Sequence, residues 1–280
     1  MSKRHKEAVQ KQFARTVEAF SKYAVRDSPE VLAEKVEFVK AQPGDALLDV
    51  ACGPGKFALA LSPRVCFATG VDLTFEMLQQ ARAFQAEKQL VQAAFACGDA
   101  EQLPFPDAAF DLVTCECAFH HMPKPELVLQ EMVRVMKPQG RLVLIDTLAP
   151  ESDAKFELHN RIEKARDPSH AHTLRWTAFR RMFEEHALKI VEEKFRRRQR
   201  SFNQWMRRAG LEPSTKRYRE ARQLLEDSIA GDRAGFSAQP QGDDIQITHT
   251  EGMFLLTRAP GATQPERGEE HGRAGSAASH

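Results

Sequence analysis

Between positions 46 and 146, short apolar runs alternate with segments whose apolar residues recur every three or four positions. The runs at 46–51, 65–71, 93–97, 110–115 and 141–146 are strand-length. Several are apolar on both faces, as strands of a covered parallel sheet must be. The segments 56–61, 75–88 and 125–136 predict helices. In the second of these Met77, Leu78, Ala81 and Phe84 form one apolar face. Pro125 stands where a first helical turn accepts it. The stretch 137–140, Lys-Pro-Gln-Gly, is expected to close the helix and turn into the next strand. Strand followed by helix, repeated, predicts an α/β chain with a doubly wound, mostly parallel sheet.

Outside this block the periodicity changes. Val9, Phe13, Val17, Phe20 and Ala24 make one helical stripe, and Val31, Leu32, Val36 and Val39 another. They suggest a helical cap over 1–42, with Phe13, Phe20 and Tyr23 packed over the strand ends as a lid. Helix-to-core packing explains the same stripe. Downstream, 156–165 and 177–186 read as helices, 188–195 as a strand and 252–258 as a final strand. The α/β domain is therefore placed at 43–200 and resumes at 250–260, around a helical insertion at 201–249. From 261 the chain is Gly, Ala, Ser and charge without core formers, and a disordered tail is expected.

The bulk numbers exclude more than they assign. The 280 residues carry 40 basic and 39 acidic side chains, so no global field points to nucleic acid or a membrane. No run of 18 apolar residues could span a bilayer. The basic start lacks the apolar core of a signal peptide. Cys52, Cys66, Cys97 and Cys115 fall in or just after strand runs, where a thiol behaves as a small buried apolar group; Cys117 is the fifth. A reduced, cytoplasmic protein is the expectation.

Candidate chemistry starts at Leu47-Leu48-Asp49-Val50-Ala51-Cys52-Gly53-Pro54-Gly55, an apolar strand running into a glycine pair before a helix. Glycine there lets backbone approach a ligand at the carboxyl end of the strand, where open α/β sheets bind. Gly53-x-Gly55-x-x-Ala58 formally matches the dinucleotide fingerprint, so an NAD(P)-dependent oxidoreductase is one reading. Asp49 argues against it, because a carboxylate beside the cradle repels a pyrophosphate. The ammonium and sulfonium of S-adenosylmethionine would favour an acid at that place. Asp72, ending the second strand run, suits ribose hydroxyls in either cofactor. Asp99, in Cys97-Gly98-Asp99-Ala100, suits an adenine amino group. Three acids at three successive strand ends converge on one crevice.

These residues resemble the class I S-adenosylmethionine-dependent methyltransferases, in particular the ubiquinone/menaquinone-biosynthesis methyltransferase-like group (type 11). The resemblance rests on the Asp49–Gly55 turn, Val71-Asp72-Leu73, the run from Gly98 to Phe105, Phe110-Asp111-Leu112-Val113 and Met136-Lys137-Pro138-Gln139-Gly140, and covers roughly residues 10–150. Weaker similarity runs on through Arg166-Asp167-Pro168-Ser169-His170. The resemblance implies a Rossmann-like, seven-stranded sheet, with 188–195 as the sixth strand and 252–258 as an antiparallel last strand. It also implies that Asp49, Ala51, Gly53 and Gly55 line the methionine part. Asp72 and Leu73 would hold the ribose and flank the adenine, Asp99 and Ala100 would face the adenine, and Cys115 would offer backbone to the methionine end. The chain departs from the pattern at Pro138-Gln139-Gly140, where Pro-Gly-Gly is usual. It departs also in the roughly fifty residues before the last strand, which leave the acceptor open. A small molecule, quinone-like or aromatic, is the expected partner; a non-catalytic cofactor-binding module is the further alternative.

On the acceptor side His120, followed by His121, is the candidate base, since an imidazole can take a proton near neutral pH. The alternative is that both shape the loop. His170 and His172 could reach the same crevice. A metal site built from them with Cys115 and Cys117 is not expected, because zinc ligands come in tighter pairs. Residues 194–222 hold eleven basic side chains against Glu212 and Glu220, with Phe202, Trp205, Met206 and Leu211 among them. They read as a solvated helical cap with its apolar residues turned inward, or as a surface for an anionic acceptor, lipid or RNA.

Overall fold

The computed structural model describes residues 2–22 and 28–261. The side chain of Phe20, residues Tyr23 and Ala24, and the Gly/Ala/Ser-rich tail from 262 lie outside the described residues. The amino-terminal part is two helices, α1 (Lys3–Lys22) and α2 (Pro29–Phe38). The second starts on Ser28, whose hydroxyl accepts from the Val31 amide, with proline at the first helical position. The alternating block follows as β1 (Ala46–Val50), α3 (Lys56–Leu61), β2 (Phe67–Asp72), α4 (Phe75–Glu87), β3 (Ala93–Cys97), β4 (Phe110–Glu116), α5 (Pro125–Val135) and β5 (Met136–Leu148). Then come α6 (Asp153–Arg166), α7 (Trp176–Glu185), β6 (Leu188–Ser201), α8 (Phe202–Arg208), α9 (Lys216–Ser228), β7 (Gln239–Gln241) and β8 (Asp244–Arg258).

The sheet runs β3-β2-β1-β4-β5-β8-β6, with β7 added on β8. Strands β1 to β5 are parallel, while β8 is antiparallel to both β5 and β6. The order reverses at β1, so the crevice opens where β1 and its neighbours end, as in other doubly wound sheets. Residues of one strand alternate between two apolar layers. Leu48, Val113 and Leu144 pack on one face with α5 and α7. Leu47, Leu112, Val143 and Ile145 pack on the other with α2, α3 and α4. A third cluster joins Ile162 of α6, Phe202, Trp205 and Met206 of α8, Tyr218 and Leu225 of α9, and Ile245 and Ile247 of β8.

The structure departs from the sequence expectations in four places. Residues 137–140 continue β5 through a register shift rather than forming a turn. Strand β6 runs to Ser201 and β8 starts at Asp244, so the expected helical insertion keeps α8 and α9 but its two ends are strand; with β7 the sheet has eight strands among the described residues. A run of Arg and Gln in β6 and of mostly polar residues between Ile245 and Glu251 in β8 hides these extensions from an apolar-run reading, because β6 is an edge strand with one face in water. Several of the eleven basic side chains are held in ion pairs: Lys194 with Glu34, Arg196 with Glu251 and Arg222 with Glu226. Cys115 and Cys117 are buried, but Cys52 is half-buried and Cys66 and Cys97 are exposed, one ahead of β2 and the other at the end of the edge strand β3.

Candidate active site

A cavity of about 270 Å³ lies along the carboxyl ends of the strands. Its floor is the turn after β1. Ala51 sits at φ +55°, a conformation costing a residue with a side chain about 1 kcal/mol or more, and Cys117 after β4 repeats it at φ +56°. The two strained residues flank the crevice and turn successive chain ends outward. Gly53 (φ +52°) lines the cavity, and a Cβ built there meets nothing within 4 Å. It would point into open ligand space. A Cβ on Gly55 (φ +71°) would lie 2.6 Å from the Phe95 ring, so this glycine serves helix-to-strand packing.

Asp49, Ala51, Gly53, Asp72, Leu73, Asp99, Ala100 and His120 all line the cavity. Gly55 and Cys115 do not. The first is occupied by Phe95, and the second faces the apolar layer beneath the sheet, so Glu116 and Cys117 take its place at the rim. Asp49 is buried and accepts 2.7 Å from the Thr114 hydroxyl on β4. Burial pushes its carboxyl up to about 7, with the charges of Glu116 and Asp72 adding to the effect. Asp72 is also raised by burial, while its two oxygens accept from the Gly53 and Thr74 amides at 2.8 Å. Each oxygen keeps a lone pair for a ligand hydroxyl. Asp99 is ion-paired with Lys6 of α1, which also reaches Glu101 at 3.3 Å. Helix α1 is further tied down by Gln10 donating to the Leu73 carbonyl (3.0 Å) and His5 Nε2 donating to the His121 carbonyl (2.9 Å). Val9 and Phe13 of α1 roof the cavity.

The two histidines have different surroundings. His120 Nδ1 lies 2.6 Å from Oδ1 of buried Asp146 at the end of β5, whose second oxygen accepts from the His120 amide at 3.3 Å. A carboxylate only accepts, so Nδ1 carries a proton, and in the neutral ring the lone pair is the one on Nε2. The imidazole of His121 donates through Nδ1 to the Ser169 carbonyl (3.2 Å), stands edge-on to Phe13, and is lowered to about 4 chiefly by burial. It stays neutral and shapes the loop. Neither His170 nor His172 lines the cavity. Their backbone strap is pinned instead by the Ala171 and His172 amides donating to the His120 carbonyl. Sequence reading missed Asp146, and with it Glu163 and His249, which line the cavity from α6 and β8. Only the acid at the end of the fifth strand run carried any local signal.

A family model described as a methyltransferase domain matches residues 48–144. An uncharacterised methyltransferase of Bacillus subtilis, YcgJ, is 33% identical over 198 residues, which are 71% of this chain and 78% of that protein. The chain belongs to the methyltransferase domain family. The crystal structure of YcgJ superposes with a TM-score of 0.75 at 29% identity, covering 82% of this chain and 98% of that one. Demethylmenaquinone methyltransferase of Listeria monocytogenes is 35% identical over 120 residues, or 42% of this chain and 51% of that enzyme. The chain thus spans only about half of that relative. Among its described residues no helix is long and apolar enough to cross a membrane.

Proposed function

We propose that the chain transfers a methyl group from S-adenosylmethionine to a small-molecule acceptor, with His120 taking the proton that the acceptor loses. The observation that carries the cofactor reading is the sign of the charge around the glycine turn. Asp49, Asp72, Asp99 and Glu116 line that half of the cavity with Lys56; Lys6 pairs with Asp99 and Lys35 with Glu116, which leaves Asp49 and Asp72 as the acids beside the turn that no ion pair matches. A pyrophosphate would meet repulsion from these two. A cation would relieve Asp49, which burial holds near 7. In this reading Asp49, Ala51 and Gly53 line the methionine part, while Gly55 keeps the turn in shape. Asp72 accepts from ribose hydroxyls, each such bond contributing about 1.5–3 kcal/mol. Leu73, Asp99 and Ala100 border the adenine, with Glu116 and Cys117 in the place expected for Cys115.

When bound, the sulfonium supplies an already activated methyl carbon. The protein's part is alignment of the acceptor with that carbon, which can contribute about 7–11 kcal/mol. Asp146 holds His120 in the tautomer whose Nε2 can accept a proton, a role worth roughly 10²–10⁴-fold in rate. The α1 roof excludes water from the reacting atoms. Calorimetric titration with S-adenosylmethionine, S-adenosylhomocysteine and NADH tests the reading. The first two should bind, and Asp72→Ala should weaken both. Binding of NADH alone would overturn it.

A further inference from the structure

Strand β6 has a partner on one side. It pairs with β8 from Leu188 to Ser201, and among the described residues no strand takes its other side. A long edge of this kind leaves backbone N–H and C=O groups able to pair with another chain. The register with β8 shifts between Ile190 and Glu192, so the bulge at Val191 ends the regular edge, and from Glu192 onward the pairing is continuous.

The side chains of this stretch fix what it can pair with. Glu193, Phe195 and Arg197 alternate onto the face that carries α7: they stand opposite Phe254, Gly252 and Thr250 of β8, and the Phe195 ring is edge-on to Trp176 at 5.6 Å. All three are exposed, and Phe195, at 46%, is one of the few large apolar side chains that are. An antiparallel second copy related by a two-fold axis at Phe195 sets that ring against its own copy. The same axis sets Glu193 against the partner's Arg197, and Arg197 against the partner's Glu193. Moving the axis by one residue in either direction puts Phe195 against a charged side chain, Glu193 or Arg197, and breaks both pairs. On the other face Lys194 comes against the partner's Arg196, but each has an acid in its own chain, Glu34 for Lys194 and Glu251 for Arg196. Glu192 comes against the partner's Arg198. Charged edges can also be a defence against pairing. Defence by charge needs like charges to meet, and around Phe195 this register brings opposite ones together.

We infer that a second copy of this chain docks on the open edge of β6, antiparallel and centred on Phe195, so that one sheet runs through an isologous dimer.

The test follows the full-length protein by sedimentation equilibrium from about 1 to about 100 µM, the range that suits a seam this short. The wild type should approach twice the chain mass at the upper end. Glu193→Arg and, in a separate variant, Arg197→Glu each bring like charges across the seam and should weaken association about tenfold or more. The two substitutions together exchange the charges and should restore most of the affinity. A second measurement does not depend on charge. In a Cys66→Ser/Cys97→Ser background, which removes the two exposed thiols, Phe195→Cys should give a covalent dimer on mild oxidation, because directly opposite residues lie within disulfide reach. Val91→Cys, equally open to solvent beside β3 at the other edge of the sheet, should not. A wild type that stays monomeric at about 100 µM overturns the inference. So does a dimer indifferent to both single charge reversals, a double variant no tighter than the single ones, or no covalent dimer from Phe195→Cys.

Discussion

Replacing Asp49 by Asn separates what this carboxylate costs the fold from what it does for a ligand. In the unfolded chain Asp49 releases its proton near 3.8; in the folded protein it holds the proton to about 7. Stability is therefore lost as pH rises from the first value to the second, and the loss levels off above about pH 7. The gap corresponds to about 4 kcal/mol at pH 8 and about 1–2 kcal/mol at pH 5. Asn cannot ionise and can still accept from Thr114. Urea unfolding of the ligand-free proteins should show Asp49→Asn gaining on the wild type by about 3 kcal/mol between pH 5 and pH 8. Binding should move the other way. A cation beside Asp49 draws its proton off, so titration at about pH 6 in buffers of different ionisation enthalpy should register release of close to one proton by the wild type. The variant should release none through this group and bind S-adenosylmethionine more weakly. A stability difference that is flat in pH, or the same proton release from both proteins, would refute the reasoning.

The remaining predictions concern the turn, the base and the cap. Gly55→Ala should destabilise by about 2–5 kcal/mol, because its Cβ meets Phe95 at a positive φ. Gly53→Ala should cost only about 1 kcal/mol in chemical unfolding yet weaken S-adenosylmethionine binding more; the opposite ranking would place the ligand elsewhere. His120→Ala should lower turnover roughly 10²–10⁴-fold with cofactor affinity unchanged, and Asp146→Asn should lower it by freeing the tautomer, both read in a methylation assay once an acceptor is found. An unchanged rate in His120→Ala removes it from the mechanism. Lys35, fully buried on α2, bridges Glu116 (2.6 Å) and Glu251 (3.0 Å). Lys35→Met should cost about 3–5 kcal/mol in urea unfolding by stranding Glu116, and adding Glu116→Gln should recover part of it. A loss below about 1 kcal/mol would show that the bridge is not holding α2 down.

What was legible in the chain, and what was not, follows one physical division. The central strands β1, β4 and the second part of β5 are covered on both faces, so the apolar runs from β1 to β5 appear in the sequence with ends displaced by only a few residues, save where β5 runs back through 136–140. The glycine turn, Asp72 and Asp99 are likewise local signals, because a parallel strand delivers its terminal residue to the same edge as its neighbours. That arrangement made most of the lining around the glycine turn readable by position alone. Gly55 and Cys115 do not line the cavity, and partners far along the chain decide that: the Phe95 ring fills the space a Gly55 side chain would take, and the Cys115 side chain lies in the apolar layer under β4.

The sequence by itself determined the alternating α/β plan, the crevice edge and the acids that border it, since each depends on residues near one another in the chain. Only the tertiary structure joined His120 to Asp146 across 26 positions, and His249 to Glu163 across 86. It alone raised β6 and β8 past the sheet's edge, so that arginines reading as a solvated face became one wall of the cavity. Periodicity reports which side of an element meets apolar matter, but a polar wall is apolar on neither side. Its place is decided by strand pairing between distant segments, to which a linear pattern is blind.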